Sequence, residues 1–365
     1  MKKISLIGST GSIGRQVVEV VKRYPSRYKI VAMTAYGNRA LFEKQVAEIK
    51  PEAYALASED GETALGLAEL ANADLVFNAA SGFAGLEYSL KAVKAGKTLA
   101  LANKETLVCA GDLIIPLAKS TGAEIIPVDS EHSAIWQCLD FDAEKPVRRL
   151  IITASGGAFG DRRYETLKNV TPEEALAHPT WKMGRKITVD SATLMNKGYE
   201  VIEAHCLYKT PYSAIETVIQ PQSIIHSLVE FEDGAVMAQM SYPTMEIPVQ
   251  LALSYPDRLD SSVKPMDFRK AFSLGFKPLV RENYPCYDLA LKCGESGGVF
   301  PCVMNAADEV AVQAFLEGRI AFTDIFKVVD GVVQTAQGGK IRNFAHLTEV
   351  DESARRVAQK IIDRL

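Results

Sequence analysis

The chain has 365 residues, 47% of them hydrophobic and 24% charged, with a formal net charge of −4. That length suits two or three ordinary globular domains, and the mildly negative balance argues against nucleic acid or an anionic membrane as the main partner. The six cysteines are scattered without CxxC spacing, which fits free thiols in a reducing compartment, and no apolar run is long enough to span a bilayer.

The sequence opens directly on a short apolar strand, Lys3 to Ile7, with no signal-peptide pattern, so the cytoplasm is the expected location. Gly8-Ser9-Thr10-Gly11-Ser12-Ile13-Gly14 follows, then a helical pattern from Arg15 to Lys22. In a strand, glycine turn and helix, glycines such as Gly8 let the backbone approach a pyrophosphate at the helix N-terminus. The spacing is GxxGxxG rather than GxGxxG, and the stretch also reads as a plain tight turn. After the second strand, Tyr28 to Thr34, an NAD site would carry an acid, but the chain has Gly37, Asn38 and Arg39. These tolerate a 2′-phosphate, so NADP is expected over NAD. Strands and helices then alternate to Ala100, which predicts a Rossmann-type, doubly wound parallel sheet.

Asn103-Lys104-Glu105 follows a strand end, where such sheets place ligands; Lys104 is a candidate electrophile or substrate clamp, or a solvated lysine. At another strand end stand Asp129, Ser130, Glu131 and His132. Asp129 and Glu131, with Glu200 as a third carboxylate, suit a hard divalent cation; Asp129 or Ser130 would also cap the following helix. His132 is expected to be packed. The strand Val147 to Ala154 ends in Ser155-Gly156-Gly157, a second potential phosphate cradle.

The stretch His178 to Glu200 organises the rest. Residues 178–186 read as a loop carrying Trp181 and Met183, interrupted by Pro179 and Gly184. Asp190 and Ser191 read as N-cap residues of a helix running through Ile202. Hydroxyl, amide and ammonium groups (Ser191, Asn196, Lys197) then crowd a helix start that favours an anion, with the Glu200 carboxylate one turn beyond. A capped surface helix explains any one of these residues alone. Further on, Asp233-Gly234 predicts a hairpin between antiparallel strands, a proline-marked connection follows, and three to four helices are expected to the C-terminus. The expected division is 1–148 for the cofactor, 149–255 for catalysis, a linker at 256–286 and a helical bundle at 287–365.

Together, GSTGSIG (8–14), ANKETLV (102–108), PVDSEHSAIWQ (127–137), ASGGAF (154–159), HPTWKMGRKITVDSATLMNKGYEVIEAH (178–205) and FPCVMNAADEVAV (300–312) resemble the 1-deoxy-D-xylulose 5-phosphate reductoisomerase family across most of the chain. The resemblance implies a homodimer using NADPH and a divalent cation (Mg²⁺, Mn²⁺ or Co²⁺) on a small phosphorylated sugar. Thr10, Gly11, Ser12 and Ile13 match its dinucleotide loop, with Asn103, Glu105 and Gly184 as further cofactor contacts. Asp129, Glu131 and Glu200 match the metal ligands, and Ser155, Ser191, Asn196 and Lys197 the phosphate cradle. Lys104, Ser130 and His178 match other substrate contacts, Trp181 and Met183 the closing loop.

Two positions depart from the family pattern: the basic residue Arg39 follows Asn38 instead of preceding it, and Asp308 replaces a second Asn, in a helical region expected to lie outside the chemistry. The implied reaction is a retro-aldol and re-aldol rearrangement followed by hydride reduction, giving 2-C-methyl-D-erythritol 4-phosphate. Lys104 would orient or polarise the substrate, and Glu131 is the candidate for moving a proton. The alternatives are another NADP-dependent aldehyde oxidoreductase, which would need an activated cysteine, and a non-catalytic NADP-binding sensor.

Overall fold

In the computed structural model, which describes residues 1–365, the apolar runs of the N-terminal third form parallel strands that alternate with helices. These are β1 (Lys2–Ile7), α1 (Ser12–Arg23), β2 (Tyr28–Ala35), α2 (Arg39–Ile49), β3 (Ala53–Leu56), α3 (Gly61–Gly66), β4 (Leu75–Asn78), α4 (Leu86–Lys94), β5 (Thr98–Leu101), α5 (Glu105–Thr121), β6 (Ile125–Pro127) and α6 (Ser130–Cys138). The six strands form one sheet in the order β3-β2-β1-β4-β5-β6, with parallel pairing throughout. Helices on both faces require apolar side chains on both, and Ile4, Leu6, Val31, Val76 and Leu99 are fully buried. Strand order reverses between β1 and β4, the place where such sheets bind ligands beyond the strand ends.

The chain divides into two compact units: Met1–Thr106, Leu113–Ser133 and Thr244–Lys264 form one, and Leu107–Asp112, Ala134–Pro243 and Pro265–Leu365 the other. The boundaries expected at 148, 255 and 286 follow the change of element type along the chain. The spatial grouping differs because the chain returns to the first unit after Pro243. There the helix Glu246–Ser254, which the sequence pattern does not reveal, packs on α1 and pairs Glu246 with Arg23.

The second unit contains β7 (Arg149–Ala154), α7 (Pro172–Leu176), α8 (Arg185–Thr193), α9 (Met195–Tyr208), β8 (Ile215–Ile219), β9 (Ile225–Glu230) and β10 (Val236–Met240). With Glu246–Ser254 counted as α10, it continues through β11 (Lys277–Pro278), α11 (Pro285–Ser296), α12 (Phe300–Leu316), α13 (Asp324–Thr335) and α14 (Phe344–Ile362). Its sheet has the order β10-β9-β7-β8-β11; β7 and β8 are parallel and the other pairs antiparallel. The expected hairpin joins β9 to β10, with Gly234 at φ +85° and the Asp233 carboxylate accepting from the Ala235 amide at 2.9 Å. No helix is long and apolar enough to cross a membrane.

The structure redraws the central stretch. The loop ends at Gly184, and Arg185 and Lys186 already belong to α8. Asp190 and Ser191 are no N-cap: they lie in the last turns of α8, and the helix breaks at Leu194, whose φ of 56° turns the chain into α9. α9 then lies close against α11, because Gly198 has no side chain; a Cβ there would stand 2.3 Å from the Ala290 Cβ. Gly198→Ala should therefore destabilise the protein by about 1–3 kcal/mol, read as a melting temperature several degrees lower. An unchanged melting temperature would show that the α9–α11 spacing adjusts freely.

Candidate functional site

In the first unit, the glycine turn after β1 is built by close approaches. Gly8 has φ +81°, and its amide and that of Ser9 donate to the Thr34 carbonyl at 3.1 and 2.8 Å. A Cβ on Gly14 would fall 2.2 Å from the Gly8 carbonyl oxygen, so α1 can start this close to β1 only with glycine there. Gly11 caps α1 without a side chain, and Gly11 and Ser12 are exposed. Bare helix N-terminal amides of this kind suit a phosphate. Gln45 on α2 donates to the Ser9 carbonyl at 3.0 Å and fixes the turn from below. Nothing in the sequence singles out Gln45, a lone polar residue in a mixed helix.

Beyond β2, the Asn38 side chain caps α2 by accepting from the Leu41 amide at 3.3 Å. Arg39, exposed, pairs with Glu43 at 3.1 Å and with Glu59, surface pairs that hold it weakly. Asn103 is buried and fully committed. Its Nδ2 reaches the Ala80 and Gly82 carbonyls at 3.0 Å each and Glu105 at 2.9 Å, and its Oδ1 accepts from Thr106. Asn103 thus shapes the wall beyond β4, as does buried Asn78, which donates to the Gly85 carbonyl and to Ser89.

Lys104 is buried, with its Nζ 2.5 Å from Oδ2 of Asp129. Asp129 also accepts the Ser130 amide at 3.0 Å while pairing with the lysine. Ser130 Oγ donates to Glu131 at 2.5 Å. His132 is fully buried and its Nδ1 lies 3.8 Å from Asp129, too long for a hydrogen bond. Lys104, Asp129, Ser130 and Glu131 therefore gather at the ends of β5 and β6.

In the second unit, β7 ends in Ser155, Gly156 and Gly157, with φ +90° and +66° at the glycines. A Cβ on Gly157 would meet the Ser191 carbonyl at 2.4 Å, so this turn rests on the end of α8. Ser155 Oγ accepts from the Gly157 amide at 3.1 Å and lies 2.9 Å from His178 Nε2. His178 Nδ1 accepts from the Thr180 and Trp181 amides at 3.2 and 3.0 Å. A neutral ring accepting at Nδ1 carries its proton on Nε2. Ser155 Oγ is then an acceptor twice over, and its own proton is free for an anion.

On α9, Glu200 is almost fully buried. Asn196 Nδ2 donates to its Oε1 at 2.6 Å, and Lys197 pairs with Oε2. Trp181 lies edge-on to His226, ring centres 6.0 Å apart, and Thr180 Oγ1 is 3.2 Å from Ser223 Oγ. Met183 is half-buried and Gly184 caps α8. Four of the six thiols are held in their unreactive, protonated form. Burial pushes Cys138 up to about 11, Cys206 and Cys293 up to about 12, and Cys286 well above its ordinary value.

Known proteins agree over the whole chain. Sequence profiles of the 1-deoxy-D-xylulose 5-phosphate reductoisomerase match residues 4–68 and 59–111, and profiles of its C-terminal domains match 125–208 and 240–357. The chain belongs to the 1-deoxy-D-xylulose 5-phosphate reductoisomerase family. A reductoisomerase of Thermodesulfovibrio yellowstonii is 44% identical over 99% of this chain and 100% of its own. One of Thermomicrobium roseum is 46% identical over 99% of this chain and 98% of its own. A crystal structure of the reductoisomerase with NADPH, fosmidomycin and magnesium superposes with a TM-score of 0.93 at 34% identity, covering 100% of this chain and 98% of that one. The Zymomonas mobilis reductoisomerase with NADPH gives 0.89 at 36%, covering both chains fully.

Within this reductoisomerase site, burial holds the His178 imidazole below its ordinary value of 6.5. The folded state then binds fewer protons than the unfolded chain. Its contribution to stability is complete above about 6.5 and is lost as the pH falls through the lower folded value. An NMR titration of the His178 ring should give a midpoint below 6.5; a midpoint above it would mean that a partner stabilises the charged ring.

Proposed function

We propose that this protein converts 1-deoxy-D-xylulose 5-phosphate to 2-C-methyl-D-erythritol 4-phosphate, an isomerisation followed by reduction with NADPH that requires a divalent cation. The observation that carries the reading is identity of 44–46% to reductoisomerases over 99% of the chain. Each residue the resemblance assigns to cofactor, cation or phosphate is present in the sequence. The setting assigned is the cytoplasm, which agrees with the free cysteines.

NADPH is assigned to the glycine turn, Thr10 to Ile13 with Gly8, to Gly37, Asn38 and Arg39 for the 2′-phosphate, and to Asn103, Glu105 and Gly184. The exposed turn and the bare start of α1 fit a pyrophosphate. Asp129, Glu131 and Glu200 are assigned to the cation. Their carboxylate oxygens are the donors that Mg²⁺ or Mn²⁺ prefers, and both Asp129 and Glu200 stand against an ammonium group, so each already occupies a place where positive charge is balanced. Bound there, the cation supplies polarisation of the substrate ketone and stabilises charge developing on oxygen.

The chain's own groups do the rest. Lys104 orients the substrate oxygens beside Asp129. Glu131, which accepts the Ser130 hydroxyl, is the carboxylate assigned to proton movement. Ser155 offers its free proton to the phosphate, and Ser191, Asn196 and Lys197 complete the cradle; this positions the carbon skeleton without taking part in bond changes. Trp181 and Met183 close over the substrate and exclude water.

NADPH absorbance should fall only when 1-deoxy-D-xylulose 5-phosphate and Mg²⁺ or Mn²⁺ are both present, and EDTA should stop it. Turnover that survives EDTA would overturn the cation assignment, and no turnover with NADPH still bound would overturn the reaction. Glu200→Gln should lower kcat/KM by roughly 100-fold or more while leaving NADPH affinity unchanged.

The protein is further assigned as a homodimer. β10 is an edge strand, and Val236 and Met237 on it are 49% and 53% exposed. Edges of this kind pair with another chain unless they are blunted. Light scattering should give twice the chain mass, and Val236→Lys with Met237→Lys should give a monomer; an unchanged mass in the double variant would place the interface elsewhere.

A further inference from the structure

Lys186 stands in the first turn of α8, two residues beyond Gly184. Its Nζ lies 2.7 Å from Oδ2 of Asp190 on the same helix and 2.7 Å from Oδ2 of Asp308 on α12. Asp308 is fully buried and Asp190 nearly so. Tyr199 on α9 donates its hydroxyl to the same Asp308 oxygen at 3.2 Å, and the Lys186 ammonium stands 5.0 Å over its ring. Three helices therefore meet at one ammonium group, which stands between two buried carboxylates. Tyr199 directly precedes Glu200. Residues 181–184, just ahead of α8, have no regular structure, while the start of the segment is tied by His178 and by Thr180 to Ser223.

We propose that Lys186 is a positioning residue for the reaction inferred above, with Asp308 as its anchor. The bridge fixes the C-terminal root of the 178–184 segment on α12, so Trp181 and Met183 close from one defined hinge. Arginine fingers and metal ligands play no part in this; the device is a charge clamp between the root of a closing loop and the helical bundle. It rests on the reductoisomerase reading for its catalytic consequence, but not for the anchoring itself.

The test uses the full chain. Lys186→Met alone would take an ammonium group away from two buried carboxylates and destabilise the fold. The triple variant Lys186→Met/Asp190→Asn/Asp308→Asn keeps side-chain size and removes all three charges, so it retains the fold. The chain has two tryptophans, Trp136 and Trp181, so a Trp136→Phe background reports on Trp181 alone. Without any ligand, acrylamide quenching of Trp181 should rise about twofold in the triple variant. With 1-deoxy-D-xylulose 5-phosphate, KM should rise about tenfold while kcat falls less than about threefold and NADPH affinity holds. Lys186→Arg, which can serve both carboxylates, should restore values near those of the parent chain. Unaltered quenching and KM in a triple variant that merely melts lower would overturn the proposal and leave the bridge a stabilising contact. Failure of the parent chain to turn over the substrate would overturn the reaction instead, and the quenching comparison would still decide the anchoring.

Discussion

The carboxylate of Glu200 is almost sealed from water, and it persists there because Lys197 and Asn196, one turn earlier, hold its two oxygens. An isolated buried charge is expensive; a charge with an ammonium group and an amide on its oxygens is tolerable. The i, i+3 and i, i+4 spacings are available only on a continuous helix. α9 must therefore begin before Asn196, and the left-handed turn at Leu194 gives it a fresh start after α8. The same pairing joins a group assigned to phosphate and a group assigned to a cation.

A second dependence runs through the backbone. β7 delivers Ser155 to the end of α8 only because Gly157 has no Cβ, which would otherwise meet the Ser191 carbonyl. His178 completes the arrangement from the loop: its Nδ1 accepts two amides of its own segment, so its tautomer and the direction of the hydrogen bond to Ser155 follow from local geometry. The conformation of the loop and the donor pattern of the cradle are thus set by one ring.

Much of this is readable in the sequence. Strands of uniformly apolar residues with glycine turns announce a parallel sheet, and β1 to β6 lie where the pattern puts them. The glycine turn and the acids at 129 and 131 stand at strand ends, where position itself is informative. The helix boundary at 184 is hidden because Arg185 and Lys186 look solvated, and nothing local reveals that Lys186 has buried carboxylates to meet. Asp190 and Ser191 resemble an N-cap in every short-range respect; only packing against the β7 turn and α12 keeps them inside α8. The helix Glu246–Ser254 is apolar nearly all round and contains Pro248 at its first turn, so it shows no 3.6-residue stripe. Its partner α1 is more than two hundred residues away in sequence, beyond the reach of periodicity.

Asp308 shows how much a single buried position can decide. With an amide there, Lys186 and Asp190 would form a neutral pair, and Tyr199 could donate or accept. With a carboxylate, Lys186 lies 2.7 Å from each of two acids. Burial first, and then the Asp308 charge, pushes the Tyr199 hydroxyl well above its ordinary value. Tyr199 is therefore held protonated and can only donate to Asp308. That fixes the direction of the bond between α9 and α12. A position in the C-terminal helices that looks remote from the chemistry in sequence thereby ties the start of α8 and the helix that carries Glu200 to α12.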